Sequence, residues 1–368
     1  MSDVPFMRLA LALGRRGLGV TWPNPSVGAV IVDPGTGRIL AATATAPGGR
    51  PHGEPLALAE AGAAARGATL YVTLEPCSHH GRTPPCTDAI LAAGIGRVVS
   101  ALEDPDPRVA GRGHARLRAG GVAVETGLMR ETAARDHLGH VTRVTRGRPM
   151  LHLKLARTRD GFAGGPGSER LRITGPTADG AVHLWRARTD AILVGIGTAR
   201  ADDPLLTVRL AGLGDRTPVR IVLDSGLRLS PASVLARTAC DGPVLVLTTA
   251  RAPAHARRAL EALGVAVEIV PANPVGRIDL AAGLARLAER GVTRVFSEGG
   301  PGLAEALAEA DLIDLCSLVT GVGLLGTAGG LPAVGPALGR LLAGQGFREA
   351  ETLILGADRA VTYERRIA

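Results

Sequence analysis

The chain has 368 residues, 46% of them apolar and 21% charged, which excludes a disordered or fibrous protein and leaves room for two domains. The formal charge is +8 and the sequence pI about 10.4, values that raise nucleic acid as a partner. Yet the first 147 residues hold 16 basic and 12 acidic side chains and the rest 26 and 22, so each part carries +4 with no basic tail. Aromatics are only 2%, too few for base-stacking platforms, and small phosphorylated substrates account for the charge equally well.

No uncharged apolar run approaches the roughly 18–20 residues of a membrane span. The stretch from Phe6 to Leu13 carries Arg8 and has no small-residue cleavage site, so it does not read as a signal peptide. Four cysteines in a chain this long make no disulfide framework. A soluble, cytoplasmic, two-domain protein is expected.

In chain order, short β-rich runs alternate with helical stretches, the pattern of layered α/β domains. A helix is expected over Phe6–Arg16, strands over Val27–Val32 and Arg38–Ala44, and a helix over Glu54–Ala65. A strand at Ala68–Leu74, a helix at Thr87–Ala93 and a strand at Arg97–Leu102 follow. A helix near Gly113–Ala119, a strand at Val122–Thr126 and a last helix over Arg130–His140 complete the set. Arg143–Pro149 is charged and punctuated by Gly and Pro, and reads as a linker. The domains are accordingly placed at 1–147 and 148–368.

In the second domain, strands are expected near Met150–Ala156, Ala191–Gly195, Val219–Asp224, Val244–Leu247, Val265–Val270 and Arg294–Ser297. Helices are expected near Thr177–Arg188, Pro253–Leu263, Leu280–Glu289 and Leu303–Glu309. The Gly/Pro-rich C-terminal third gives no clear pattern.

Of the 42 basic residues, 41 are arginine and one, Lys154, is lysine; asparagine occurs only at Asn24 and Asn273. A bias that drains Lys and Asn wherever a substitute serves leaves the survivors where the side chain itself is needed. An ammonium is compact and shifts its pKa, which a guanidinium does not.

The first domain carries one chemical constellation. His52-Gly53-Glu54 opens a helix, Pro76-Cys77 follows a strand, and Cys86 begins the next helix. One His and two Cys form a natural zinc set that leaves a fourth position for water. Zinc lowers the pKa of that water to about 7. Glu54, one residue from a ligand, is placed to pass protons. The H-x-E…P-C…C arrangement is the nucleobase-deaminase signature. A structural zinc site, with His79 or His80 as fourth ligand, is the competing assignment; the acid beside His52 and the proline before Cys77 weigh against it. Cys240 and Cys316 have no partner pattern and are expected in the core.

PCSHHGRTPPC places eight residues between the cysteines, unlike the two of cytidine or tRNA-adenosine deaminases. Together with TWPNPSVGAVIV and DPDPRVAGRG, it resembles the bifunctional riboflavin-biosynthesis deaminase/reductase family, over nearly the whole chain. The resemblance implies an α/β fold with a cytidine-deaminase-like three-layer domain followed by a dihydrofolate-reductase-like domain. It implies zinc on His52, Cys77 and Cys86, Glu54 as acid/base, and Asn24, His79 and Arg82 lining the substrate pocket. Gly53 stands where the family often has Ala, and Asp106 where Asn is common.

In the second domain, Gly321-Val322-Gly323-Leu324-Leu325-Gly326 matches G-x-G-x-x-G formally. TAGGLPAVGP after it cannot open a helix, and no acidic residue occurs from Leu315 to Arg348 to hold a ribose, so the motif reads as a Gly-rich loop and not a Rossmann site. Glu298-Gly299-Gly300-Pro301-Gly302, between a strand and a helix, is a better phosphate cradle. LKLARTRDG, ITGP, RARTDAILVGIGTARADDPLLTVR, RIVLDS and SEGGPGLAEAL are similar, in order, to the family's NADPH-dependent reductase domain. The resemblance implies Lys154 as the active-site lysine. It places Ala156, Thr198, Asp202, Ser225, Gly300, Pro301 and Gly302 on the cofactor, and Arg186, Leu206, Arg209 and Glu298 on the substrate. Thr158-Arg159-Asp160-Gly161 and Arg170-Leu171-Arg172 depart from the family's usual residues.

The activity so implied is zinc-dependent deamination of a phosphorylated diaminopyrimidine, then reduction of its ribosyl group by NADPH. Its partner is a small phosphorylated pyrimidine, not nucleic acid or membrane, and a homo-oligomer is expected from the family.

Overall fold

The computed structural model describes residues 2–81, 84–165, 171–326 and 329–366. The chain divides into two compact units, Met1–Pro149 and Met150–Ala368. Among the described residues no helix is long and apolar enough to cross a membrane.

The first unit runs α1 (Val4–Arg16), β1 (Gly28–Val32), β2 (Ile39–Ala44), α2 (Gly53–Ala61), β3 (Thr69–Val72) and α3 (Cys86–Ala92). It continues with β4 (Arg97–Ser100), α4 (Arg112–Ala119), β5 (Ala123–Thr126), α5 (Arg130–Asp136) and α6 (Leu138–Arg146). The sheet order is β2-β1-β3-β4-β5. β3, β4 and β5 are parallel, and β1 is antiparallel to both its neighbours. β1 and β3 are buried along their whole length, which explains their unbroken apolar runs. Met7 and Leu11 of α1 pack with Ile31, Leu70, Ile90 and Leu117 in the core, each such burial contributing roughly 1.5–3 kcal/mol.

Three expectations are corrected here. The single helix over Arg130–His140 is two helices meeting at His137, whose buried ring turns inward to Thr73 Oγ1 at 3.0 Å. The expected linker from Arg143 is helical as far as Arg146, because Val141 of α6 packs on the core and Thr142 is buried. The expected helix over Glu54–Ala65 ends at Ala61 and continues as a short 3-10 turn.

The second unit runs β6 (Met150–Arg157), β7 (Phe162–Gly164), α7 (Pro176–Ala187), β8 (Ala191–Gly195), α8 (Ile196–Asp202) and β9 (Val219–Leu223). Then come α9 (Val234–Arg237), β10 (Val244–Thr248), α10 (Ala254–Glu261), β11 (Ala266–Ile269), α11 (Leu280–Glu289) and β12 (Arg294–Ser297). It ends with α12 (Pro301–Glu309), β13 (Leu315–Thr320), β14 (Leu331–Pro332), α13 (Pro336–Ala343), β15 (Phe347–Leu355) and β16 (Asp358–Arg365). The main sheet has the order β11-β10-β9-β8-β12-β6-β13-β16-β15. It is parallel from β11 to β13, and β16 and β15 add an antiparallel hairpin.

The formal G-x-G-x-x-G of residues 321–326 leaves β13 as a loop. The Asp160 carboxylate accepts the N–H groups of Leu325 and Gly326, and Arg159 N–H donates to the Gly323 carbonyl at 2.8 Å. These glycines therefore serve a clasp on the β6–β7 turn. Cys316 is buried as expected, whereas Cys240 is exposed at the end of a helical turn and does not belong to the core.

Candidate active sites

In the first unit three donors converge. His52 Nδ1 lies 3.3 Å from Cys86 Sγ and 3.8 Å from Cys77 Sγ, and the Cys86 N–H donates to Cys77 Sγ at 3.3 Å. All three ligand atoms lie within 4.8 Å of one another. Two helix starts make this possible: His52 caps α2 and Cys86 is the first residue of α3. The Cys86 thiol and backbone N–H, aided by His52, hold the Cys77 thiol down to about 4. The contact with Cys77 in turn raises His52.

Glu54 follows on the same helix start and is only 3% exposed. Burial raises its pKa, and its Oε2 has no hydrogen-bond partner among the described residues. Two soft thiolates, one imidazole and an orphaned carboxylate oxygen beside them suit a zinc ion with one open position.

α2 begins this close to the sheet because residue 53 is glycine: a Cβ there would lie 2.7 Å from the Val27 carbonyl oxygen and 3.3 Å from the Ala44 backbone. The loop carrying Cys77 is fixed by Glu75, a residue the sequence did not single out. Its buried carboxylate accepts the N–H groups of Asp104 (3.2 Å), Gly111 (3.0 Å) and His114 (3.1 Å). Glu75, Glu103 and His114 also cluster, but with Glu75 filled by backbone donors the group is a structural knot rather than a second metal site. A glutamate between a strand and a P-C pair was the only available signal.

Of the other residues expected here, Asn24 Nδ2 donates to the Gly49 carbonyl at 2.7 Å, tying together two loops near His52. His79 is half-buried, and its Nδ1 is buried without a partner among the described residues. Arg82 lies outside the described residues. Asp106 is committed to Arg108, accepting its N–H at 2.9 Å and its guanidinium at 2.5 Å. Arg108 holds that carboxyl down to about 2.

The second unit builds a separate site at the C-terminal ends of its parallel strands, where open α/β sheets bind ligands. A cavity of about 1000 Å³ is lined by Gly195 at the end of β8, Gly197 of α8, Ser225 after β9, and Gly302 and Leu303 of α12. The Gly300 N–H donates to Thr198 Oγ1 at 3.2 Å, with Gly300 capping α12 and Pro301 in its first turn. Helix amides and an open glycine edge suit a pyrophosphate, so these residues fit a dinucleotide. Asp202 is exposed at the end of α8. Lys154 and Ala156 project from the same face of β6, paired with Ser317 and Val319 of β13.

Arg186 closes bidentately on Glu298, Nε to Oε1 at 2.5 Å and Nη2 to Oε2 at 2.9 Å, and its Nη1 donates to the Thr207 carbonyl at 2.9 Å. Leu206 is buried with φ +51°, and Arg209 Nη1 donates to Thr207 Oγ1 at 3.1 Å. Arg186, Glu298 and Arg209 are thus joined through Thr207, next in sequence to Leu206. Among the departures, Arg159 closes the clasp already described and Arg172 lies 3.6 Å from Asp179 on the surface; Arg170 lies outside the described residues.

Comparison with known proteins agrees with this division. Residues 1–102 match the cytidine and deoxycytidylate deaminase zinc-binding region, and residues 149–355 match the RibD C-terminal domain. The riboflavin biosynthesis protein RibD of Escherichia coli is 39% identical over 370 residues, spanning 97% of this chain and 98% of its own. The chain belongs to the RibD family. The Aquifex aeolicus RibD is 40% identical over 300 residues, 81% of each chain. Among solved structures, Acinetobacter baumannii RibD superposes with a TM-score of 0.86 at 32% identity, over 99% of both chains. The Thermotoga maritima diaminohydroxyphosphoribosylaminopyrimidine deaminase/5-amino-6-(5-phosphoribosylamino)uracil reductase gives 0.83 at 32% identity over 98% of both chains. The chain is a bifunctional riboflavin-biosynthesis enzyme, a zinc-dependent deaminase and an NADPH-dependent reductase.

Proposed function

We propose that residues 1–147 deaminate 2,5-diamino-6-ribosylamino-4(3H)-pyrimidinone 5′-phosphate and that residues 148–368 reduce the deaminated product, opening its ribosyl group to ribityl. The observation that carries the first step is the orphaned, buried Glu54 Oε2 beside the His52, Cys77 and Cys86 donors.

His52, Cys77 and Cys86 would hold the zinc, which would supply Lewis-acid activation of water near neutral pH. Glu54 accepts a proton from water at Oε2 and returns it to the substrate, so that water's oxygen replaces the amino group and ammonia leaves. Burial raises this carboxyl's pKa, which favours its taking a proton from water. His79, whose Nδ1 is buried without a partner among the described residues, offers a hydrogen-bonding group to the pyrimidine, and Asn24 keeps the loops near His52 joined.

In the second unit the residues named below would hold NADPH, whose chemistry when bound would be hydride donation for reduction at the anomeric carbon. Gly300, Pro301 and Gly302 offer helix amides to its pyrophosphate, with Thr198 fixing the loop. Ala156, Asp202 and Ser225 complete the cofactor side. Lys154 places an ammonium at the reacting sugar, while Arg186, Leu206, Arg209 and Glu298 shape the substrate wall. Arg209 is the group there suited to the substrate's phosphate. We place the enzyme in the cytoplasm, acting on a small phosphorylated pyrimidine, and as a homo-oligomer on the family's precedent.

Glu54→Gln should keep its zinc, measured by metal analysis, while ammonia release falls at least about 100-fold. A variant that still deaminates at the wild-type rate would remove Glu54 from the proton path. Lys154→Arg should deaminate normally and lose NADPH oxidation; unchanged reduction would remove Lys154 from the site.

A further inference from the structure

The segment from Leu205 to Arg209, downstream of α8, belongs to no helix or strand. Among the described residues no backbone–backbone hydrogen bond involves any of its members. It nevertheless holds Leu206 in the left-handed region at φ +51°, shortly after Asp203 at φ +39°. A branched side chain stays in that region only where its surroundings fix it.

The restraint comes from side chains. Arg220, itself only 2% exposed, donates from Nη1 to the Leu205 carbonyl at 3.4 Å. Arg186 Nη1 donates to the Thr207 carbonyl at 2.9 Å. The third tether is His183, whose Nδ1 accepts the Arg209 N–H at 3.2 Å. His183 and Arg186 are three residues apart on α7, so they share the helix face that meets this segment.

α7 therefore grips the backbone on both sides of Val208, at the Thr207 carbonyl and at the Arg209 N–H. The Arg209 side chain then turns back, and its Nη1 donates to Thr207 Oγ1 at 3.1 Å. Where that guanidinium points is set by these two grips. Among the described residues, His183 is the only partner of the Arg209 N–H.

Accepting at Nδ1 requires a neutral imidazole with its proton on Nε2. The surroundings favour that form. Burial lowers the His183 pKa most, the Arg186 and Arg209 guanidiniums lower it further, and Glu298 and the Thr207 carbonyl oppose them. Asp179, one turn earlier on α7, is exposed and lies 3.6 Å from Arg172.

We propose, on the basis of the reductase function above, that His183 is a positioning residue for the phosphate end of the substrate. By fixing the Arg209 backbone it aims the Arg209 guanidinium at the phosphate. It acts through Arg209 and not on the reacting atoms, so its loss weakens binding of the phosphorylated substrate and spares the hydride step.

The test is steady-state NADPH oxidation by the full-length protein, with the deaminated pyrimidine supplied directly, either with or without its 5′-phosphate. His183→Leu removes the acceptor and keeps an apolar group of branched shape. It should raise KM for the phosphorylated substrate about five- to tenfold, the loss of one hydrogen bond, and leave kcat within about twofold. With the dephosphorylated compound the same substitution should change kcat/KM by less than about twofold. His183→Asn, whose Oδ1 stands near the Nδ1 position, should bring KM back to within about twofold of the wild type. In an Arg209→Met background, His183→Leu should add no further loss, because the two residues act as one unit. Equal losses with both substrates, or no recovery in His183→Asn, would make His183 a packing residue and overturn the proposal. A wild type that oxidises no NADPH with the deaminated substrate would remove the reductase function itself, and the proposal with it.

Discussion

Arg186 and Glu298 meet in a two-point pair, with N···O distances of 2.5 and 2.9 Å, and the third donor of the guanidinium reaches the Thr207 carbonyl at 2.9 Å. Both side chains are mostly buried, at 11% and 14% exposure. The pair locks α7 to the end of β12 and to the segment that carries Leu206 and Arg209. Orientation of the substrate wall therefore depends on a planar fork that lysine cannot reproduce.

Arg186→Lys should lower kcat/KM for the reductase about tenfold or more, since bonds to a charged group are worth about 1.5–3 kcal/mol. The assay is NADPH oxidation with the deaminated substrate supplied directly. Ammonia release by the first unit should be unchanged.

Gly53 sets how closely α2 approaches β1. Gly53→Ala places a methyl 2.7 Å from the Val27 carbonyl oxygen, and relief requires the start of the helix, with His52 and Glu54, to move outward. Deaminase kcat should fall by about tenfold or more, because catalytic groups tolerate little displacement. Crystal structures of both forms would show the shift of α2.

Glu75 acts through Cys77. Glu75→Ala leaves the Asp104, Gly111 and His114 N–H groups without their acceptor and frees the loop that holds the thiolate. Supporting groups of this kind are worth about 10–100-fold in metal affinity. Zinc retained per chain after dialysis against a graded chelator series should drop accordingly.

Asp3, Tyr71 and Arg97 join the start of α1 to β3 and β4. Arg97 hydrogen bonding lowers Asp3 to about 2, while burial and then Asp3 raise Tyr71 to about 12. A carboxyl depressed on folding stabilises fully above its unfolded value and loses that contribution as pH falls from about 4 to about 2. Asp3→Asn should therefore lower Tm by about 2–4 °C at pH 7. The gap from wild type should narrow as pH falls below about 4 and close only below about pH 2. The raised phenol adds stability that is lost as pH rises from about 10 to 12.

The strands of both units were legible because buried strands read as continuous apolar runs, and His52-Gly53-Glu54 marked the start of α2, whereas α12 begins at Pro301, two residues before the helix expected from Leu303. The β15–β16 hairpin was not legible. Most of Phe347–Leu355 is exposed, so Arg348, Glu349, Glu351 and Thr352 give no alternation to follow. The clustering of His52, Cys77 and Cys86 follows the residue types and spacing singled out in the sequence, whereas Glu75 acts through backbone donors distant in sequence, which no local pattern records.

The most direct test of the two-step account is NADPH oxidation after purified zinc-loaded protein receives the diaminopyrimidine ribosylamino phosphate alone. The account predicts ammonia release followed by NADPH loss, with both abolished by Glu54→Gln and only the second by Lys154→Arg. Ammonia without NADPH consumption would contradict the reductase assignment, and neither product would contradict the substrate.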